Sequence, residues 1–217
     1  MSQMKVFKFD VDEDYAKQHN EMRQNTRSLM LSGIALFVLS VAAAILIWIF
    51  VDPDSHWHVL GSAGLGLFGV MMLVVAIAIP RAVGTTQSLY DAHPLAPAMI
   101  TENQGTTVTL TALANTNVDP ELPPRWALTS LVVKPIPNTS DAVGTKVPVA
   151  AVGVQRSTHE QGRWQAITPM PIAWATPDKN VIASARDAVP EAQWTVLERA
   201  RKHDKKVKAS KKSLTGL

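Results

Sequence analysis

No cysteine occurs in the 217 residues. Its absence excludes disulfides, thiolate-bound metals and a cysteine nucleophile, and leaves the redox compartment open. Charged residues are sparse at 18%, against roughly a quarter in an ordinary globular chain. The shortage is concentrated in two places. Ser28 to Val51 has no charged residue over 24 positions, and Val59 to Pro80 has none over 22. Neither run contains an ionisable group, so an ion path or proton relay would find no ligand there. Missing too are the Gly-x-Ser-x-Gly, His-Glu-x-x-His and phosphate-binding Gly-Lys-Thr signatures.

What is present begins with those two runs. A helix rises 1.5 Å per residue, so each is long enough to cross a hydrocarbon core of about 30 Å. Seven residues, Asp52 to His58, join them, which predicts an antiparallel transmembrane hairpin. The first run follows 27 residues, five of them acidic, and is longer than a cleaved leader's apolar region. Lys17, Arg23 and Arg27 precede the hairpin, Arg81 follows it, and the loop has neither Lys nor Arg. By the positive-inside rule both termini are expected to be cytoplasmic, in a two-pass protein of a bacterial inner membrane. Trp48 and Trp57 fall where an interfacial aromatic belt is expected. Ser40 with Ala44, and Ser62 with Gly66, have the small-xxx-small spacing that packs a hairpin or pairs two copies.

The chain divides into a cytoplasmic N-terminal segment (1–27), the hairpin (28–80), an exit linker (81–97), a cytoplasmic domain (98–198) and a polybasic C-terminal tail (199–217). In the N-terminal segment, Phe7, Phe9 and Val11 alternate with Lys8 and Asp10 as in a short strand, and Asp12 to Arg27 reads as helix. Asp10, Asp12, Asp14 and Glu21 imitate a calcium loop. Tyr15 stands where such a loop needs glycine, so they read as a solvated acidic helix start.

Beyond the linker, β-type runs cover Ala98–Thr101, Thr106–Leu113, Trp126–Lys134, Lys146–Gln155 and Arg163–Thr168, with Pro148, Pro169 and Pro171 marking edges or bulges. Thr176 before Pro177 reads as a helix N-cap, with Asn180–Ala188 helical. A second helix opens at Pro190 and carries the stripe Trp194, Leu197, Ala200. The fold class is α+β: a small antiparallel β-sheet or half-barrel with two C-terminal helices. The stretch Trp164–Thr176 (WQAITPMPIAWAT), with Asp178, Trp194 and Leu197, resembles a small family of actinobacterial, corynebacterial-type membrane proteins. That resemblance implies two N-terminal spans and a cytoplasmic domain of unknown function; it supplies no catalytic residues.

Two tryptophans of the domain have an arginine immediately before them, Arg125–Trp126 and Arg163–Trp164. An indole can stack on a nucleobase while a guanidinium grips phosphate. With Lys134, Lys146 and Arg156 these four residues make a candidate pocket for coenzyme A or a nucleotide. The alternative is that the indoles simply fill the core. Asp91 with His93, and His159 with Glu160, fall short of the three protein ligands a metal site needs. Neither a metal nor a resident cofactor is therefore expected.

The +3 net charge is uneven. Residues 81–198 have eight basic and ten acidic side chains, while residues 199–217 have eight basic and one acidic. The domain itself is thus not basic, and nucleic acid is not indicated. Arg199, Arg201, Lys202, Lys205, Lys206, Lys208, Lys211 and Lys212 form a candidate surface for anionic lipid headgroups. The function expected is non-catalytic: a membrane-anchored cytoplasmic module that binds an anionic metabolite or a protein partner. The alternatives are an enzyme of envelope or lipid metabolism using Asp91, His93 or Glu102, and a scaffold that homodimerises through its spans.

Overall fold

The computed structural model describes residues 4–119, 121–156, 160–202 and 214–216. The chain forms two units. One is Met22–Gly84; the other combines the N-terminal segment through Glu21 with the chain from Thr85 onward.

The first unit is a helical hairpin. Helix α1 (Glu13–His19) belongs to the other unit; α2 (Glu21–Phe50) and α3 (His56–Val83) are the long apolar pair. Both are long and apolar enough to cross a membrane. Their apolar side chains point outward: Leu39 is 66% exposed, Leu67 74% and Phe50 78%. A helix buried in a soluble core hides such side chains, so this exposure needs an apolar medium. Where the two helices meet, small residues allow close approach. A Cβ added to Gly33 would lie 2.9 Å from the Cβ of Ala76, and one on Gly69 would lie 3.3 Å from Ser40. Gly64 and Gly66 have nothing within 4 Å. Ser40 and Gly69 therefore pack the hairpin, whereas Ala44, Ser62 and Gly66 line an outward-facing groove. At the tip, Ser55 caps α3 by accepting from the Trp57 N–H, and Nδ1 of His58 donates to the Val51 carbonyl at 2.9 Å.

The second unit is α+β. Helix α4 (Thr86–Ala92) leads into β1 (Leu95–Asn103), followed by β2 (Val108–Asn115), β3 (Trp126–Val133), β4 (Lys146–Arg156) and β5 (Trp164–Pro171). A 3₁₀ turn (Ile172–Trp174), α5 (Lys179–Ala188), α6 (Glu191–Arg201) and a two-residue β6 (Thr215–Gly216) complete it. The sheet is antiparallel in the order β5-β4-β1-β2-β3-β6. It curls into a half-barrel: the Thr129 hydroxyl on β3 donates to the Ile167 carbonyl on β5 at 2.8 Å, although three strands lie between them in the sheet. Both faces of β2 are buried from Val108 to Ala114. Trp194, Leu197 and Ala200 bury the inner stripe of α6, as their i, i+3, i+6 spacing predicts.

Several local expectations are corrected. The strand expected at Phe7–Val11 pairs with no strand among the described residues. The segment is held by one side chain: the Val11 N–H donates to Gln87 Oε1, and Gln87 Nε2 donates to the Phe9 carbonyl, each at 2.9 Å. The helix expected from Asp12 to Arg27 breaks at the buried, extended Asn20. Within the stretch read as a linker, α4 anchors the domain through Tyr90, which is 1% exposed and meets Phe9 edge to face. The cap of α5 is Asp178, not Thr176; its Oδ1 accepts from the Asn180 N–H at 2.8 Å. Pro148 is neither edge nor bulge but lies in β4, opposite Pro97 of β1. The β4–β5 register starts at Val149, so the N–H that Pro148 lacks falls beyond the ladder.

Candidate functional site

The ten residues between β2 and β3 form a loop closed by its own amides. Asn115 Oδ1 accepts from the N–H groups of Asn117 (3.1 Å) and Arg125 (3.0 Å). Asn117 Nδ2 donates to the Pro123 carbonyl at 2.8 Å, and the Thr116 N–H donates to the Arg125 carbonyl at 2.9 Å. Asparagine suits this work because its short amide can imitate a backbone turn. The backbone of Arg125 is thereby fixed, while its exposed guanidinium has no partner among the described residues.

The first limb of this loop also zips onto the start of β5. The Trp164 N–H donates to the Thr116 carbonyl at 2.8 Å, and the Val118 N–H donates to the Gly162 carbonyl at 2.9 Å. Those bonds carry Arg163 and Trp164 to the side of Arg125 and Trp126. All four line one groove of about 570 Å³. Val196 of α6 and Leu214, which leads into β6, add apolar wall. Each indole is half-buried, so each offers surface to a ligand. Arg163 pairs with Glu160 at 2.7 Å, and the guanidinium carbon of Arg156 lies 5.5 Å from the centre of the Trp164 ring.

Lys134, Lys146 and Arg156 are not among the groove's described lining residues, although Arg156 touches the Trp164 ring. The backbone N–H of Lys134 donates to the Glu21 carboxylate at 2.6 Å. Lys146 lies 3.4 Å from both Glu191 and Glu198, with its ammonium 5.3 Å from the ring centre of Trp194. Arg199 and Arg201 form the last turn of α6 and Lys202 its C-cap. Arg201 is half-buried, within 3.7 Å of where a Gly144 side chain would begin. Lys205, Lys206, Lys208, Lys211 and Lys212 lie outside the described residues, as does His159.

Among the described residues, His93 lines a small cavity to which neither Asp91 nor Glu102 contributes. Asp91 is exposed and accepts from Gln87 Nε2 at 3.1 Å, whereas Glu102 accepts from the Thr109 hydroxyl at 3.4 Å. Three of the four carboxylates that imitated a calcium loop, Asp12, Asp14 and Glu21, have other employment. Asp12 caps α1 and Asp14 pairs with Lys17, whose ammonium holds its carboxyl below the usual range.

Sequence reasoning missed Gly153, Val196 and Leu214. Gly153 did leave a signal: a glycine within a valine-rich strand marks a close approach, and here the Trp164 ring is what approaches.

A family model described as a protein of unknown function (DUF3239) matches residues 81–204. A crystal structure of a candidate membrane protein from Corynebacterium diphtheriae has 47% sequence identity and a TM-score of 0.53, covering 57% of this chain and 99% of that one. No curated protein matches.

Proposed function

The chain belongs to the DUF3239 family of unknown function, and from that premise we propose that it is a membrane-anchored, non-catalytic binding protein for an anionic metabolite. The ligand is of the nucleotide or coenzyme A type. One observation carries this reading: two arginine–tryptophan pairs, 38 residues apart in sequence, converge on one groove, with one guanidinium unpaired among the described residues. Stacking on an indole contributes about 1–3 kcal/mol per base. A charge-assisted bond from arginine to phosphate contributes about 1.5–3 kcal/mol. Together they suit a flat, phosphate-bearing molecule. The scattered positions of Asp91, His93 and Glu102 favour binding over catalysis.

In this reading α2 and α3 cross the inner membrane and both termini are cytoplasmic. Support comes from the chain's connectivity: both ends of the hairpin join one folded unit, so both emerge on one side. The arginines and lysines of the loop face are lacking, which favours that side being the cytoplasm. The basic residues from Arg199 onward add attraction to anionic lipid headgroups, at about 1 kcal/mol for each one close to the surface. Anchoring concentrates the ligand beside membrane machinery without any chemical step.

Calorimetric titration of the full-length protein in nanodiscs with coenzyme A and with adenosine diphosphate tests the binding. Saturable heat is expected, lost in Trp126→Ala with Trp164→Ala; silence at millimolar concentrations of both would end the proposal. For topology, reporters fused after Leu217 should stay cytoplasmic.

A further inference from the structure

We propose that the site has two compartments and that its ligand is correspondingly bipartite: a flat anionic head in the Trp126–Trp164 groove, and a narrow amide- or hydroxyl-bearing arm that passes Trp164 towards His93. This inference rests on the groove reading above and narrows it to a ligand of the coenzyme A type, as against a plain nucleotide.

A second cavity, of about 210 Å³, also has Trp164 in its wall. Its other walls come from four separate parts of the chain. Met4 and Val6 belong to the N-terminal segment, His93 and Pro94 form the corner between α4 and β1, Asn115 and Asn117 close the neighbouring loop, and Ala151 lies on β4. Trp164 is therefore common to a larger compartment edged by arginines and a smaller one with no Asp, Glu, Lys or Arg among its described lining residues. A phosphate belongs in the first. A neutral arm belongs in the second.

His93 adds a ring to the two asparagine amides in the wall of the smaller cavity. Its Nδ1 lies 2.8 Å from the Leu89 carbonyl, which can only accept, so Nδ1 carries the proton and donates. In the neutral ring Nε2 is then an acceptor, and it has no partner among the described residues. Asn115 and Asn117 each commit amide atoms to closing the loop. The complement to a free imidazole acceptor is an N–H or O–H donor on the ligand. A flexible chain of amides supplies such donors, and a nucleotide that ends at its phosphates does not.

The test compares coenzyme A with adenosine diphosphate that carries coenzyme A's ribose 3′-phosphate, so that the two differ by the arm alone, on the full-length protein in nanodiscs. Coenzyme A should bind at least tenfold more tightly. His93→Ala should reduce that preference to near unity while affinity for the armless ligand holds. Because His93 also bonds Leu89, a second variant guards against simple misfolding: Val6→Trp, on a side chain 40% exposed, narrows the cavity from its N-terminal wall and leaves the His93–Leu89 bond in place. It should cost coenzyme A the same tenfold. Equal affinities for the two ligands in the wild-type protein, or losses shared equally by both ligands in the variants, would overturn the second compartment and leave the groove intact. Failure of both ligands to bind would instead overturn the groove, and this inference with it.

Discussion

The indole of Trp164 lies over the backbone of Gly153, so closely that a Cβ at position 153 would fall 2.4 Å from Cε2 and 2.5 Å from Cδ2 of the ring. No side chain fits between them. Gly153→Ala must therefore push the indole out of place, at about 1–3 kcal/mol for overpacking. The expected result is a lower melting temperature and an affinity for coenzyme A reduced at least tenfold. Adding Trp164→Leu should restore stability, because the collision is gone, but not affinity. Thermal unfolding and titration of the single and double variants separate the two effects.

The two groove arginines differ in what else they do. Arg125 has an exposed guanidinium without a described partner, so Arg125→Ala should change stability by no more than about 0.5 kcal/mol. The same change should weaken phosphate-bearing ligands about tenfold or more, as expected for a lost charge-assisted bond. Arg163→Ala also breaks the pair with Glu160, whose side chains are 38% and 58% exposed. Solvent screening at that exposure keeps the pair's worth below about 1 kcal/mol. A large loss of stability in either variant, measured by urea unfolding, would assign these arginines to the fold instead of to a ligand.

The strands, the hairpin and the α6 stripe were legible because one local signal dominated each. Trp126–Lys134 and Lys146–Gln155 alternate or cluster β-branched residues between turn-formers, and they became β3 and β4 almost residue for residue. Thr106–Leu113 lost its first two residues to the β1–β2 turn, where Gly105 has a positive φ of 83°. The N-terminal alternation of Phe7, Phe9 and Val11 misled, because alternation reports a two-faced extended chain and not the presence of a pairing partner. The side chain that holds it, Gln87, is about 80 residues away and leaves no local trace. In the groove, adjacent arginine and tryptophan drew attention to both pairs. Their convergence depends on Asn115 and Thr116 closing a loop onto β5, which is a tertiary fact. Lys134 and Lys146 were included for charge alone, and charge carries no address.

Closure of the half-barrel hangs on a side chain as well as on the ladder. Thr129→Val keeps the shape but removes the donor to the Ile167 carbonyl, leaving a buried acceptor unsatisfied. The cost should be about 1–3 kcal/mol. Thr129→Ser retains the hydroxyl and should lose less than half as much. Chemical unfolding of the two variants, followed by circular dichroism, provides the comparison; equal losses would show that the methyl group matters and the bond does not.

In the hairpin, glycines of identical chemistry should respond oppositely. Gly33→Val drives a side chain into Ala76 and the Met72 carbonyl, whereas Gly66→Val meets nothing within 4 Å. The first should lower thermal stability in detergent by about 1–3 kcal/mol of overpacking, and the second should leave it unchanged. Gly66 lies on the outward groove with Ala44 and Ser62, so Gly66→Val should abolish any crosslinked dimer that forms through that face in native membranes. Persistence of such a dimer in Gly66→Val would exclude this surface as its interface.

Tyr90 predicts how the soluble unit fails in alkali. Burial holds its phenol well above the ordinary value of 10.0, and its hydroxyl donates to the Pro171 carbonyl at 2.7 Å, a bond that only the protonated form can make. An unfolded chain would ionise at the ordinary value. Below that pH both states keep the proton, and the full stability is present. As pH climbs from there towards the raised folded value, the unfolded state sheds a proton that the folded state retains, so stability falls. The chain has two tyrosines, and Tyr15 is only half-buried, raised by that burial and by the Asp12 charge. Tyrosinate absorbance should therefore rise in two phases, Tyr15 first and Tyr90 together with the loss of β-sheet dichroism. Tyr90→Phe should remove the second phase, flatten the alkaline loss of stability and cost about 0.5–1.5 kcal/mol at neutral pH through the missing hydrogen bond. Ionisation of both tyrosines in a single phase, with the sheet still folded, would mean that the phenol reaches solvent without unfolding and that α4 is not the anchor its burial implies.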